Sequence, residues 1–128
     1  MAHLEHVNIT VPDPSRTAKM LSDLFDWSVR WEGGAIDGGY SVHVGTPTGY
    51  VALYTGPGGA QNQLPAENSY RQTGGFNHIG VVVGDLDKTE AAVKALGLET
   101  HSHADYEPGR RFYFKDPDGI EIEVVSYD

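Results

Sequence analysis

Two histidines occupy the same position in two copies of one sequence pattern. His6 lies in residues 4–13 (LEHVNITVPD), and His78 lies in residues 76–85 (FNHIGVVVGD). An offset of 72 residues (78 − 6) aligns the two segments, apolar positions included. Imidazole is the commonest metal ligand among protein side chains. The repeat therefore predicts two half-domains that present imidazoles to a common place, and a metal site is the leading hypothesis.

A carboxylate near the end of the chain completes the candidate site. Glu121 and Glu123 alternate with apolar residues, which places both carboxylates on one face of a strand. Such a pair facing the concave side of a sheet would be costly without a cation. Glu123 and the two histidines would form a three-ligand set that leaves coordination positions open for water, O₂ or a chelating substrate.

Hydrophobic periodicity predicts an α+β fold of two β-α-β-β-β modules, residues 1–55 and 76–128. In the first module, Asp13 and Pro14 are typical of a helix start, because Asp caps and Pro suits the first helical position. The predicted strands of this module cover residues 6–11, 29–31, 40–44 and 50–55.

The second module repeats this order after a linker. Asp87 and Glu90 have the spacing of a capping box, and Gly97 ends the predicted helix. The predicted strands cover residues 78–83, 98–101, 111–115 and 120–126. Residues 56–75 are rich in Gly, Gln and Asn and lack periodicity, which indicates a linker between the modules, with an arm or lid as the alternative.

Composition narrows the possible functions. The net charge of −9 at pH 7 argues against nucleic acid and membrane surfaces as partners. No apolar run reaches the roughly 18 residues of a membrane span and the N-terminus lacks a signal pattern, so we expect a cytoplasmic protein. The chain has no cysteine, and hence no thiolate nucleophile or sulfur ligand. Neither a phosphate-binding Gly-Lys-Ser/Thr loop nor a Gly-x-Ser-x-Gly nucleophile motif occurs.

The paired histidines and residues 112–123 (FYFKDPDGIEIE) together resemble the vicinal oxygen chelate superfamily. That group includes glyoxalase I, extradiol dioxygenases, fosfomycin-resistance enzymes and bleomycin-binding proteins. The resemblance covers essentially the whole chain. It implies two modules whose curved mixed sheets surround a central site, a divalent metal held by His6, His78 and Glu123, and often a homodimer.

One departure from this family pattern concerns the first module. Glyoxalase I carries a fourth ligand, a Glu on the last strand of its first half. In this chain either Ala52 or Leu53 falls on that position, and neither side chain can bind a metal. The remaining ligand set is similar to that of extradiol dioxygenases and fosfomycin enzymes.

Five further residues are candidates for contact with substrate. Tyr113 matches the position of a substrate-contacting Tyr in extradiol enzymes, so it is a candidate proton donor or acceptor. His43, between two valines, is either a base beside the site or a solvent-facing residue. Arg111 is a candidate for holding a carboxylate or phosphate, with a solvated pair formed with the neighbouring Arg as the alternative. Tyr54 and Phe112 are candidates for lining an apolar cleft, with a place in the core as the alternative.

The leading functional hypothesis is a metal-dependent enzyme for a small substrate with vicinal oxygens. Fe(II), Mn(II), Ni(II) and Zn(II) all suit the ligand set. Glyoxalase-like isomerase or lyase chemistry and ring-cleaving dioxygenase chemistry remain equally open. The competing hypothesis is a metal-free protein that sequesters a small molecule, as bleomycin-binding members do. A homodimer is expected, with each site either within one chain or shared between two subunits.

Overall fold

The computed structural model describes residues 1–106 and 109–128, and the chain divides into two compact units, residues 1–64 and 65–128. Each unit contains one four-stranded mixed sheet and one α-helix, in the order β-α-β-β-β. The predicted α+β class and repeated element order are confirmed. Within the described ranges, no helix is long and apolar enough to cross a membrane.

The first unit consists of β1 (His6–Thr10), α1 (Pro14–Phe25), β2 (Ser28–Gly34), β3 (Tyr40–Thr46) and β4 (Gly49–Thr55). The strand order is β1-β4-β3-β2, with β1 parallel to β4 and the other pairs antiparallel. As predicted, Asp13 caps α1 by accepting a hydrogen bond from the Arg16 backbone N–H at 3.1 Å. Because α1 packs on β3 and β4, one face of the sheet is buried and the other is left to carry polar residues.

The second unit consists of β5 (Ile79–Val82), α2 (Leu86–Ala95), β6 (Thr100–Tyr106), β7 (Gly109–Lys115) and β8 (Glu121–Ser126). Its strand order, β5-β8-β7-β6, repeats the pairing scheme of the first unit. The alternation of β7 and β8 sends Phe112, Phe114, Ile122 and Val124 into the core, where each is at most 1% exposed. The residues between them face the opposite side, and this side carries the candidate site.

The start of α2 differs from the prediction. Asp85, not Asp87, caps this helix, since its carboxylate accepts a hydrogen bond from the Lys88 backbone N–H at 3.0 Å. Glu90 does not reach back to the cap. Its carboxylate binds the hydroxyl of Thr100 at 2.5 Å and the ring of His103 at 2.6 Å. The predicted capping box is therefore wrong, because a third acidic residue upstream takes the capping position.

Strand β6 also differs, since it extends to Tyr106 whereas the prediction ended it at His101. The pairing register with β7 shifts between His101 and Ala104, and Ser102 has a φ of +54°. This bulge breaks the period-two alternation that a sequence pattern depends on. The predicted linker contains two short 3₁₀ turns, Gly59–Asn62 and Ser69–Arg71.

Candidate metal centre

The second unit brings together two of the three predicted metal ligands. Glu123 pairs with Gly80 across β8 and β5, and His78 directly precedes β5. His78 Nε2 consequently lies 3.1 Å from Glu123 Oε1. The two side chains are 29% and 13% exposed, so the pair is sheltered yet open to solvent on one side. An imidazole nitrogen and a carboxylate oxygen therefore converge on one point.

Arg111 lies beside this pair and holds the second oxygen of Glu123. Its Nη1 donates to Glu123 Oε2 at 2.8 Å, and its guanidinium lies over the Tyr106 ring, 5.0 Å from the centroid. The two charged side chains are only 16% and 13% exposed. Arg111 therefore neutralises and orients the carboxylate, which directs Oε1 toward His78. The predicted role of Arg111 as a substrate anchor stays a prediction.

Tyr113, a predicted catalytic residue, lies on the same face. It pairs with Glu123 across β7 and β8, and its ring meets that of His78 edge-on at 5.5 Å. The ring of His101 stacks on its other side at 6.2 Å. Burial raises the pKa of the Tyr113 hydroxyl, and the negative charge of Glu123 raises it further. This hydroxyl therefore keeps its proton at neutral pH and can donate it in a hydrogen bond.

Tyr70, which sequence reasoning missed, completes the cluster. Its hydroxyl donates to Glu121 Oε1 at 2.5 Å and lies 3.0 Å from His78 Nδ1. The hydrogen bond to Glu121 raises the pKa of Tyr70 to about 12. Because Tyr70 comes from the linker segment, no periodic signal in the sequence could have placed it here.

His6 has its own partners in the first unit. Its Nδ1 lies 2.8 Å from Glu5 Oε1, and the same oxygen accepts a hydrogen bond from the Tyr50 hydroxyl at 3.2 Å. These two contacts lower the pKa of the Glu5 carboxyl, with the His6 contact the larger cause. His6 is thus an oriented side chain on the exposed face of β1.

Four rings form a continuous row across the four strands of this sheet, which we call the ring row. Its members, in order, are His6 of β1, Tyr50 of β4, His43 of β3 and Trp31 of β2. Neighbouring centroids are 4.8, 4.6 and 5.0 Å apart. The Arg30 guanidinium covers the Tyr50 ring at 4.5 Å. Burial lowers the pKa of His43, and the neighbouring His6 and Arg30 lower it further, so this imidazole is a neutral proton acceptor at pH 7.

The two remaining aromatic candidates, Phe112 and Tyr54, and the arginine that neighbours Arg111 lie outside these clusters. Phe112 is 0% exposed and belongs to the core under α2, so its predicted role as a substrate contact is corrected. Arg110 pairs with Asp87 at 3.0 Å instead of with its neighbour. Tyr54 is half-buried, and its hydroxyl donates to the Ile36 carbonyl at 3.0 Å. The Tyr54 hydroxyl therefore holds the turn at Ile36, and only the Tyr54 ring remains a candidate for contact with substrate.

Comparison with known proteins identifies the family. The family model of the Glyoxalase/Bleomycin resistance protein/Dioxygenase superfamily matches residues 3–124. The chain belongs to this superfamily. The resemblance predicted from the paired histidines and the C-terminal motif is confirmed. No curated protein sequence matches the chain.

Solved structures of the superfamily share the fold. The fosfomycin resistance protein FosX from Listeria monocytogenes superposes with a TM-score of 0.75 at 19% identity, over 100% of this chain and 95% of that one. Glyoxalase I of Leishmania major superposes with a TM-score of 0.75 at 20% identity, over 99% of this chain and 88% of that one. TnmS3, an antibiotic binding protein from Streptomyces sp. CB03234, superposes with a TM-score of 0.72 at 14% identity, over 100% of this chain and 98% of that one. These likenesses establish the fold and leave the activity open.

The strand register settles which residue of the first unit corresponds to Glu123. In the first unit Ala52 pairs with Asn8, and in the second unit Glu123 pairs with Gly80. Asn8 and Gly80 are equivalent positions of the repeat, because they are 72 residues apart (80 − 8), so their partners Ala52 and Glu123 are equivalent too. Of the two alternatives from the sequence, the structure thus selects Ala52 and leaves Leu53 in the core. A methyl group cannot bind a metal, so this superfamily member lacks the fourth ligand expected of glyoxalase I.

The donor chemistry of the second unit fits a divalent metal. Among the described residues, no three His, Asp or Glu side chains cluster closely enough to hold an ion by themselves. His78 and Glu123 nevertheless offer one nitrogen and one oxygen, the donor types that suit Fe(II), Mn(II), Ni(II) and Zn(II). Arg111 binds only the Oε2 atom of Glu123, so the Oε1 atom, which lies on the His78 side, remains available as a ligand.

Proposed function

We propose that this chain is a metal-dependent enzyme for a small substrate with two adjacent oxygens. The observation that carries the proposal is the 3.1 Å approach of His78 Nε2 to Glu123 Oε1. A neutral imidazole lone pair and a carboxylate oxygen repel at this distance unless a proton or a cation lies between them. Membership of a superfamily that includes metal-using enzymes favours the cation.

The residues have distinct roles in this proposal. His78 and Glu123 would hold the ion, and His6 is the further ligand that the sequence predicts. A bound ion would polarise the substrate oxygens and stabilise negative charge on them. The protonated Tyr113 hydroxyl would donate a hydrogen bond to an oxygen that becomes negative. The neutral imidazole of His43 would accept a proton from substrate.

Two assay panels, run on one preparation, test this function and the reaction type. A catechol panel in an oxygen electrode detects dioxygenase chemistry, and a panel of 2-oxoaldehyde thiol adducts detects glyoxalase chemistry. The proposal expects turnover in one panel, loss of that turnover in EDTA, and recovery on addition of Fe(II), Mn(II), Ni(II) or Zn(II). Turnover that persists unchanged in EDTA would contradict metal dependence.

A second candidate function, binding of a planar ligand without metal, is favoured by the ring row. The inner rings of the row stack on one another, whereas Trp31 at its end is tilted by 51° to His43 and is 49% exposed, so its indole can stack on an aromatic molecule. TnmS3, which has a similar fold, is an antibiotic binding protein, and this supports a ligand-binding role. The absence of a fourth ligand at Ala52 points in the same direction.

Replacing Trp31 with Leu tests the ring row as a ligand surface. In calorimetric titrations with catechols and with bleomycin, Trp31→Leu should bind the preferred ligand about tenfold more weakly than wild type, because stacking is lost. Trp27→Leu is the matched control, since Trp27 packs against Phe25 away from the row. Equal losses of ligand affinity in the two variants would show that the ring row is not the binding surface. Repeating the titration in EDTA separates the two candidate functions, since sequestration alone predicts unchanged binding.

We also propose that the chain forms a homodimer. Within the part of the chain that the structure describes, the edge strands of both sheets are unpaired along one side, and they carry exposed apolar residues such as Val29 (46%) and Val82 (63%). Sedimentation at micromolar concentration should give a species of twice 13.9 kDa. A single species at 13.9 kDa would refute the dimer.

A further inference from the structure

The linker segment places one side chain directly against a proposed metal ligand. Tyr70 lies in the 3₁₀ turn Ser69–Arg71, whose start is fixed by the Asn68 carboxamide accepting from the Tyr70 backbone N–H at 3.2 Å. Its hydroxyl lies between Glu121 Oε1 and His78 Nδ1, which are themselves 3.8 Å apart. Glu121, Tyr70 and His78 form a chain of contacts that we call the Tyr70 bridge.

The proton positions in the Tyr70 bridge follow from the chemistry of its three groups. An ionised carboxylate only accepts hydrogen bonds, so the Tyr70 O–H points to Glu121 at 2.5 Å. The lone pairs of the hydroxyl oxygen then face His78 Nδ1 at 3.0 Å, and that contact is favourable only if Nδ1 carries the proton and donates it. A neutral imidazole has a single N–H, so Nε2 is left with its lone pair.

We infer that Tyr70 is a positioning residue that holds His78 in the Nδ1–H tautomer and so presents Nε2 as the ligand atom. The inference rests on the proposed metal function for its purpose, but the tautomer itself does not require a metal. Groups that orient a metal-binding imidazole through its other nitrogen typically change metal affinity by about 10- to 100-fold.

The first unit supports the inference through an independent arrangement of the same groups. There the Nδ1 atom of His6 faces Glu5, and the Tyr50 hydroxyl donates to that carboxylate. Both histidines thus meet a hydrogen-bonded Tyr–Glu pair at Nδ1. The two Tyr–Glu pairs use different positions of the repeat. By strand register, Tyr50 of the first unit is equivalent to Glu121 of the second unit, and not to Tyr70. The duplicated strand alone therefore does not explain why both units engage the same ring atom.

Removing the Tyr70 hydroxyl provides the first test, with metal affinity as the readout. Tyr70→Phe keeps the ring and should weaken binding of Mn(II) or Zn(II) to EDTA-treated protein about tenfold or more. Glu121 cannot replace the hydroxyl, because 3.8 Å from His78 Nδ1 exceeds a hydrogen bond. Tyr127→Phe, at a residue that is 56% exposed, is the matched control and should bind as wild type does.

The second test reads the tautomer directly in metal-free protein. Ring ¹⁵N NMR of His78 is recorded in a Glu123→Ala background, which removes the carboxylate that would draw a proton to Nε2 and leaves no amide that could donate to it. At a pH of about 8.5, well above the ordinary imidazole pKa, the spectrum should show Nδ1–H, and adding Tyr70→Phe should abolish that preference. An unchanged tautomer, or a Tyr70→Phe metal affinity equal to wild type, overturns the inference. Failure of wild type to bind metal would refute the proposed function and leave the tautomer test intact.

Discussion

The Glu123→Gln variant should bind divalent metal at least about 100-fold more weakly than wild type, since loss of a ligand exceeds the effect of losing an orienting group. The metal-free fold should be preserved. The carboxamide oxygen can accept from Arg111, and the carboxamide NH₂ can donate to the Nε2 lone pair of His78, so each partner of Glu123 keeps a hydrogen bond. The measurement is calorimetric titration of EDTA-treated protein with Mn(II) and Zn(II), beside thermal unfolding.

Glu99→Gln is the matched control for this prediction. Glu99 is exposed and lies before β6, so the substitution removes one negative charge without touching the candidate centre. Equal losses of affinity in the two variants would indicate a general effect of net charge. Wild-type affinity in Glu123→Gln would exclude this carboxylate as a ligand.

The largest effect on stability is expected from Phe112→Ala, which should lower the free energy of unfolding by about 3–5 kcal/mol. Phe112 is fully buried, and its ring packs 6.3 Å from that of Phe114, so truncation leaves a cavity beneath α2. Phe112→Leu keeps most of the volume and should cost less than about 1.5 kcal/mol. Urea denaturation measures both losses.

The same pair of variants distinguishes a core residue from a substrate contact. Phe112→Leu should leave ligand affinity and KM at wild-type values, because its side chain faces away from the candidate centre. Tyr113, one residue further on, faces that centre, and Tyr113→Phe serves as the comparison. A raised KM in Phe112→Leu with nearly normal stability would restore the substrate-binding role.

Strand alternation made most of the fold predictable from sequence. Most of β7 and the first half of β8 alternate between buried and more exposed residues, and Asp13 with Pro14 has a single interpretation. The prediction of α2 went wrong where two acidic residues, Asp85 and Asp87, compete for one capping position. The repeat does decide between them, since the offset of 72 residues aligns Asp85 with Asp13, which caps α1.

The candidate centre was predictable in part for the same reason. His78 directly precedes β5 and Glu123 lies on β8, and the register of these two strands brings the side chains together, while Tyr113 pairs with Glu123 on the same face. That alternation already assigns Phe112 to the opposite face once Tyr113 is placed. Arg111 required the three-dimensional structure, since its charge alone does not indicate whether it holds a substrate or Glu123. The position of Tyr70 could not be predicted, because it depends on the path of a linker segment that has no periodic sequence pattern.

The most direct test of the central claim is the metal content of the wild-type chain. Protein purified without chelator, and the same protein after EDTA treatment and reconstitution, should hold about one Fe, Mn, Ni or Zn ion per chain by elemental analysis. The reconstituted content should fall sharply in Glu123→Gln and in His78→Ala. Less than about a tenth of an ion per wild-type chain after reconstitution, with both variants indistinguishable from it, would contradict the account.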